Sequence, residues 1–503
     1  MKYIWAFLIV LANLVVLPLL QAGSTSYYHP SSGTPLQWET DADGKATIHY
    51  IVDAGGLGRL THDQALQLLQ AAMDIWEAAA NIEFVYDGTT DTAITLDNYE
   101  TYLVVNESIC TDDSTVSTVE NNLQFNRISV IGFDNTDRQI LDDADGLSGN
   151  GNALGRTDIT CISGTNAAPE FITSAQIIFD GSSIDGDDIN TVDDIRVNSY
   201  FGVMVHELGH FLGLDHSDAN GAFVKAIDEG EITEDFLVFI PTMGQVSPRT
   251  YGDFQATLTP DDIAAAQALY PFADSPISMV SGNVTDSENA DFRGAQLELR
   301  TIDDPLCEVF SFVSGKQCTP LALLEGASIP EMVGSICGLR DTTSTNTGQF
   351  FLRAIPSGNY TLSAQEVIDD YKGGVIHPFS TEFPIDELVG DAEFYNDPDL
   401  ATEDFDSRTL ITVTGDEDLD NLTITLSSST ADEDGEENVI PIDFFSTTNG
   451  FTDSLTVSDS RCQPNTIDYA ALIGVEELVG TDDGEDDNSD DTSNSAGGCS
   501  LVL

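Results

Sequence analysis

The sequence predicts a two-part chain: an α+β domain built on a mixed sheet and one long helix, followed by an all-β sandwich. Three observations carry this. KATIHYIVD (45–53) alternates like a strand, and an apolar stripe at helical spacing follows it. A second helical stretch, VNSYFGVMVHELGHFLG (197–213), comes just after a short apolar run. Beyond residue 272 the helical period is lost, and two-residue alternation broken by Gly, Pro, Asn and Asp replaces it. At 503 residues the chain is too long for one core, which suits two or three units.

In chain order, residues 1–22 read as a secretory signal. Lys2 gives the positive start, Ile4 to Leu20 is nearly all apolar, and Ala22 offers a small residue for cleavage. An uncleaved anchor is the competing reading, and Pro18 favours cleavage. The mature chain is then expected outside the cell, with no other run apolar enough to span a bilayer. Residues 23–272 form the α+β unit. After the strand at 45–53, Thr61 can cap a helix with Gln64 as its reciprocal partner. Leu66, Leu69, Met73 and Trp76 give that helix a core stripe. Ile82 to Tyr86 begins another strand, and AQIIFD (175–180) is a short apolar one.

The chain has only seven histidines, and three fall in HELGHFLGLDH (206–216). His206 and His210 stand four apart, so both rings leave one helical face. Val205, Leu208 and Leu212 lie opposite and are expected in the core. Gly213 can end the helix at positive φ, after which His216 can swing back as a third nitrogen. Three imidazoles on one Zn2+ leave a fourth position open, the arrangement of catalytic rather than structural zinc. Glu207 directly follows the first ligand. Its carboxylate is placed to take a proton from the attacking water and return it to a leaving amine.

HELGHFLGLDHS resembles the zinc segment of metzincin endopeptidases, and Ser217 is similar to the matrixin branch. IPTMG (240–244) looks like the methionine turn of that family, which implies Met243 as an apolar floor beneath the metal. LTPDDIAAAQALYP (258–271) resembles the closing helix of matrixin catalytic domains. It also reads as a helix unaided: Thr259 as cap, Pro260 in the first turn, Asp261 and Asp262 at the positive end. The resemblance spans most of 35–271. It implies a metzincin-type fold and a zinc endopeptidase acting on peptide or protein, with His206, His210 and His216 as ligands and Glu207 as general base. An extended substrate is expected to pair with an edge strand near AQIIFD. The sequence departs from the family in several ways. Twenty-six residues separate His216 from Met243, so 217–239 is an insertion expected near the cleft. No tyrosine stands two after Met243, and latency through a preceding cysteine-switch segment is not expected. His29, His49, His62 and His377 do not form the second, structural zinc site of vertebrate matrixins.

Calcium is a second cation reading at DGSSIDGDD (180–188), where Asp180, Asp185, Asp187 and Asp188 surround glycines. The alternative there is a solvated acidic loop.

Residues 273–430 carry the strands AQLELRT (295–301), GQFFLRAI (348–355), NYTLSAQ (359–365) and LDNLTITLS (419–427). The run Gly348 to Leu352, then Pro356-Ser357-Gly358-Asn359-Tyr360, resembles carboxypeptidase-regulatory-like sandwich modules, which serve as spacers or binding domains. Residues 431–480 hold apolar segments without an assigned place. Residues 481–503 begin as an acidic low-complexity linker and end in SAGGCSLVL. That end resembles the start of a bacterial surface-sorting signal, which would attach the chain to a cell surface; otherwise Cys499 is a tail thiol.

Seven cysteines show no CxxC pattern, so a cysteine-built zinc site is disfavoured. Cys110–Cys161 and Cys307–Cys318 are reasonable disulfide pairs; of an odd number one cysteine must be left over, and Cys499 is the odd one by position. Lys+Arg number 17 against Asp+Glu 86, a net charge of −69. Such a surface repels phosphate backbones and anionic membranes, so no nucleic-acid partner is expected. The rival functional class is a surface adhesion or matrix-binding protein whose zinc domain is vestigial. An intact Glu207 speaks against it.

Overall fold

The computed structural model describes residues 35–103, 110–111, 129–135, 138–144, 154–163, 171–184, 197–228, 232–244, 256–273, 278–315, 348–367, 392–397, 407–414, 417–426, 462–463, 467, 469–473 and 500–501. The expected secretory signal (1–22), the expected acidic linker and Asp185, Asp187 and Asp188 of the candidate calcium loop lie outside these residues.

The first unit is a mixed α/β assembly. Its strands are β1 (Gln37–Trp38), β2 (Ala46–Val52), β3 (Ile82–Thr89), β4 (Cys110–Thr111), β5 (Ser129–Asp134), β6 (Gly155–Ser163) and β7 (Phe171–Asp180). Its helices are α1 (His62–Ala79), α2 (Tyr99–Tyr102), α3 (Gln139–Ala144), α4 (Val197–Phe211), α5 (Gly221–Asp228) and α6 (Pro260–Leu269). The main path across the sheet runs β6-β7-β5-β2-β3. All these neighbours are parallel except β6, which pairs antiparallel with β7 from Gly155↔Phe179 to Ser163↔Phe171.

That order corrects one expectation. β7, which contains AQIIFD, is not an edge strand. β6 covers one side of it, and β5 and β1 cover the other. Its burial from Ser174 to Asp180 is that of a central strand, consistent with its continuous apolar run.

Helix α1 begins as its sequence dictates. Thr61 accepts from the Gln64 amide, and the Gln64 side chain accepts from the Thr61 amide. Two of the four orphan amides are thereby satisfied. Its buried face runs through Ala65, Leu68, Leu69, Ala72, Met73 and Trp76. Leu66 lies beside that face and is only partly buried, so the stripe is one residue wider and rotated from the one expected. α1 and α4 pack against the sheet in one core that also includes Met243, Leu269 and Tyr270.

The second unit's described strands are β8 (Ser278–Thr285), β9 (Gln296–Thr301), β10 (Val309–Val313), β11 (Gln349–Ile355), β12 (Gly358–Gln365), β13 (Glu393–Phe394), β14 (Ile411–Val413) and β15 (Leu419–Thr425). They form a five-stranded and a three-stranded sheet that share one apolar core. Ala264 of α6 belongs to that core, so the closing helix of the first unit also packs against the second. Beside it Asp261 is fully enclosed, accepting from Ser217 Oγ at 2.6 Å and the Ser311 amide at 2.7 Å. Burial pushes its carboxyl up to about 7, against the pull of these donors.

The insertion 217–239 leans on the second unit. Phe223, Ile227 and Leu237 to Ile240 pack with Leu306, Cys307, Phe394 and Cys462. Asn220, at a φ of 58°, donates to the Phe239 and Leu306 carbonyls and accepts from Arg300. Cys307 is disulfide-bonded to Cys462, which replaces the expected Cys307–Cys318 pair. The closure spans 155 residues, and no local spacing rule points to it. Cys110 and Cys161 stand opposite each other in the β4–β6 register.

Part of 431–480 is also placed. A short helix α7 (Tyr469–Leu472) adjoins Ile473, and Ile467, Leu472 and Ile473 join the first core. The Ile473 carbonyl accepts from Gln64 Nε2 at 3.3 Å. A final two-residue strand, β16 (Ser500–Leu501), lies on β6. Among the described residues no helix is long and apolar enough to cross a membrane.

Candidate metal centre

Helix α4 is the frame of the site, and its position is fixed by long side chains reaching its carbonyls. Trp76 Nε1 donates to Val205 O at 2.8 Å, and Trp38 Nε1 to Phe211 O at 2.7 Å. Tyr270 Oη donates to Leu212 O at 2.6 Å, one of the carbonyls a helix end leaves without a partner. Val205, Leu208 and Leu212 are fully buried, as their spacing predicts. Gly213 then takes φ 95°. With a side chain there, Cβ would meet Leu36 O at 3.0 Å in a backbone region that disfavours L-residues.

That turn returns the chain to the histidines. Leu214 O accepts from His210 Nδ1 at 2.9 Å. His216 follows two residues later, and its ring faces the other two. Ring centroids lie 4.7 Å apart for His206–His210 and His210–His216, and 5.2 Å for His206–His216. One ligand atom from each ring lies within 4.8 Å of the others. All three residues are buried.

Their chemistry fits a metal. Thr242 O holds His206 Nδ1 at 2.6 Å, as Leu214 O holds that of His210. A ring that donates from Nδ1 turns a bare Nε2 inward, the usual tautomer of a metal ligand. His206 Nε2 is buried with no hydrogen-bond partner, and leaving such an atom unsatisfied costs about 1–3 kcal/mol. His210 Nε2 and His216 Nε2 are 3.3 Å apart. Two nitrogens at about 2.0–2.1 Å from a tetrahedral zinc would be separated by about that distance. Burial pushes the His206 pKa down to about 3, with neighbouring His210 acting in the same direction. The ring is therefore neutral, the form that binds metal.

Glu207 points to the sheet. Its Oε2 accepts from Thr157 Oγ1 at 2.6 Å, and the same hydroxyl lies 3.0 Å from the Glu207 carbonyl. Both residues are fully buried. Gly155, two residues earlier on β6, leaves room for the carboxylate: a Cβ there would lie 2.6 Å from Glu207 Cγ. β6 thus seats Glu207 at both positions. The sequence gives no local sign of this, since Thr157 is one polar residue among several in GRTDITCIS.

Met243 lies under the helix, buried at 2% exposure. Gly209 faces it, and a Cβ on that glycine would stand 2.2 Å from Met243 Sδ and 2.9 Å from Trp76 Cζ2. Asp262, from α6, accepts from the Thr242 and Met243 amides at 2.8 and 2.9 Å, so one carboxylate holds the turn. Thr242 O, on that same turn, orients His206. In the sequence Asp262 has only a place at the positive end of a helix, and it does serve in the Thr259 capping box. Its second task spans about twenty residues of chain and has no sequence signature.

Asp180 stands elsewhere. Its carboxylate accepts from Arg138, Ser182 and Ser183. Oxygens taken by a guanidinium and two serines do not make a calcium ligand, so Asp180 gives that expectation no support. Asp185, Asp187 and Asp188 lie outside the described residues.

Two substitutions test this reading. Thr157→Val removes a hydrogen bond to a charged group, worth about 1.5–3 kcal/mol. Steady-state kinetics should show kcat down by about 10- to 100-fold with KM and metal content unchanged, and Thr157→Ser should restore most of it. An unchanged kcat in the valine variant would mean that the hydroxyl does not position Glu207. Gly209→Ala forces Met243 and Trp76 apart and should cost about 1–3 kcal/mol in urea unfolding. A value within about 0.5 kcal/mol of wild type would show the packing to be slack.

Residues 37–235 match the family model described as Matrixin. The match holds the three histidines and Glu207 and stops short of Met243. Matrixin domains are zinc-dependent metallopeptidases, so the match and the histidine cluster together support a zinc metallopeptidase acting on peptides. No curated protein matches the chain.

Proposed function

We propose that the chain is an exported, zinc-dependent endopeptidase. The observation that carries this is the convergence of three buried imidazoles beside a carboxylate that β6 holds in place. His206, His210 and His216 hold the zinc, and Met243 lies beneath them. A zinc ion bound there supplies Lewis acidity, making a water acidic near neutral pH and polarising a carbonyl. Glu207 takes the proton of the attacking water on its carboxylate and returns it to the leaving amine. Thr157 keeps that carboxylate from rotating away. Leu214 O and Thr242 O fix the tautomers of His210 and His206.

The substrate strand in this reading pairs with the outer edge of β6, not with β7. β6 is the long antiparallel strand at that side of the sheet, and its Gly155 and Thr157 abut Glu207. Main-chain pairing would stretch a peptide across the carboxylate with little demand on side-chain identity. Export rests on the reading of residues 1–22.

A casein or gelatin gel tests the activity. Clearing by the purified chain, abolished by chelator and restored by zinc, is expected. Clearing that persists in chelator would point to another mechanism.

A further inference from the structure

β6 is paired along its whole length with β7 on one side. Its other side is met at two places. β4 lies on it at Cys161 and Ile162, and β16 lies on it at Arg156 and Thr157, both in parallel register. The second contact falls at the catalytic end. Thr157 is the residue bonded to Glu207, and Arg156 is bracketed by Thr157 and Gly155. A strand seated at 156–157 therefore occupies the main-chain edge beside the carboxylate.

We propose that Ser500–Leu501 is a self-blocking strand that occupies the β6 edge in place of an extended substrate. The inference rests on the reading of β6 as the substrate edge. Strand addition works through backbone groups, so the protein's own segment and an outside peptide compete for the same amides and carbonyls. Two paired residues make a weak contact by themselves. The tether compensates. Ile473 is anchored to the first core, and 26 residues, 474–499, join it to Ser500. A tether of this order holds the strand at an effective concentration of order mM. Such a block is reversible, competitive with substrate, and lost when the segment is removed.

The test compares the zinc-loaded full chain with a form ending at residue 498 and with Leu501→Pro, which removes a backbone donor. Both variants should lower KM, raising kcat/KM by about tenfold for a segment whose free peptide binds near 0.1 mM, while kcat stays level. A labelled GGCSLVL peptide should bind the shortened chain, followed by fluorescence anisotropy in the Glu207→Ala background, and bind the full chain less. Cys499→Ser should leave the block in place; full release by that change would assign the effect to the thiol and overturn strand pairing. Equal KM in full and shortened chains, with no peptide binding, would overturn the block while leaving the protease reading intact. If neither form cleaves any substrate, the protease reading fails and the block with it.

Discussion

Glu207→Ala should lower kcat/KM by at least about 100-fold, because general-base proton transfer is worth about 10²- to 10⁴-fold. The fold should survive. The carboxylate sits against Gly155 and Thr157, and removing it takes away a buried acidic group and its bond from the Thr157 hydroxyl, not a packing element of the core. Zinc content should also be unchanged, since Glu207 lies outside the histidine cluster. Activity loss with metal retained is the signature of a base. Cleavage equal to wild type would remove Glu207 from the mechanism.

The second large effect is on metal and stability together. A ligand that binds only the folded state at 100 times its Kd adds about 2.7 kcal/mol. For a unit of 150–250 residues that corresponds to about 5–10 °C in melting temperature. Chelation of the wild-type chain should therefore lower Tm by about this amount, and zinc should restore it. His210→Ala should melt at the same temperature with and without zinc. The comparison is internal to each variant, so it does not depend on what the substitution does to packing. A zinc-dependent rise in His210→Ala as large as in wild type would mean that the metal sits elsewhere.

How much of this was legible in the sequence depended on distance along the chain. The Thr61–Gln64 capping box, the strand at 46–52, the helix through the histidines and the positive φ of Gly213 are set by neighbours within a few residues. They read out directly. The three histidines fall within eleven positions, so the turn between them could be inferred too. Sheet order could not. An apolar run such as AQIIFD shows that a strand is buried on both faces, not which strands flank it, so β7 reads as an edge although β6 covers it. β6 was harder still, since GRTDITCIS carries charge and hydroxyls that alternate poorly. Thr157, Asp262 and the Cys307–Cys462 bond act across 50, 20 and 155 residues. Only the folded chain reveals such partners. The length of 217–239 marks it as an insertion expected near the cleft. Its apolar residues pack with Leu306, Cys307 and Phe394, which ties the first unit to the second, a contact the sequence does not announce.

The dependence of every functional step on one metal makes its stoichiometry the decisive quantity. Native mass spectrometry of the purified chain should find one zinc per molecule in the wild type and in Glu207→Ala, and none in His210→Ala. A wild-type chain that carries no zinc after folding in its presence would contradict the account.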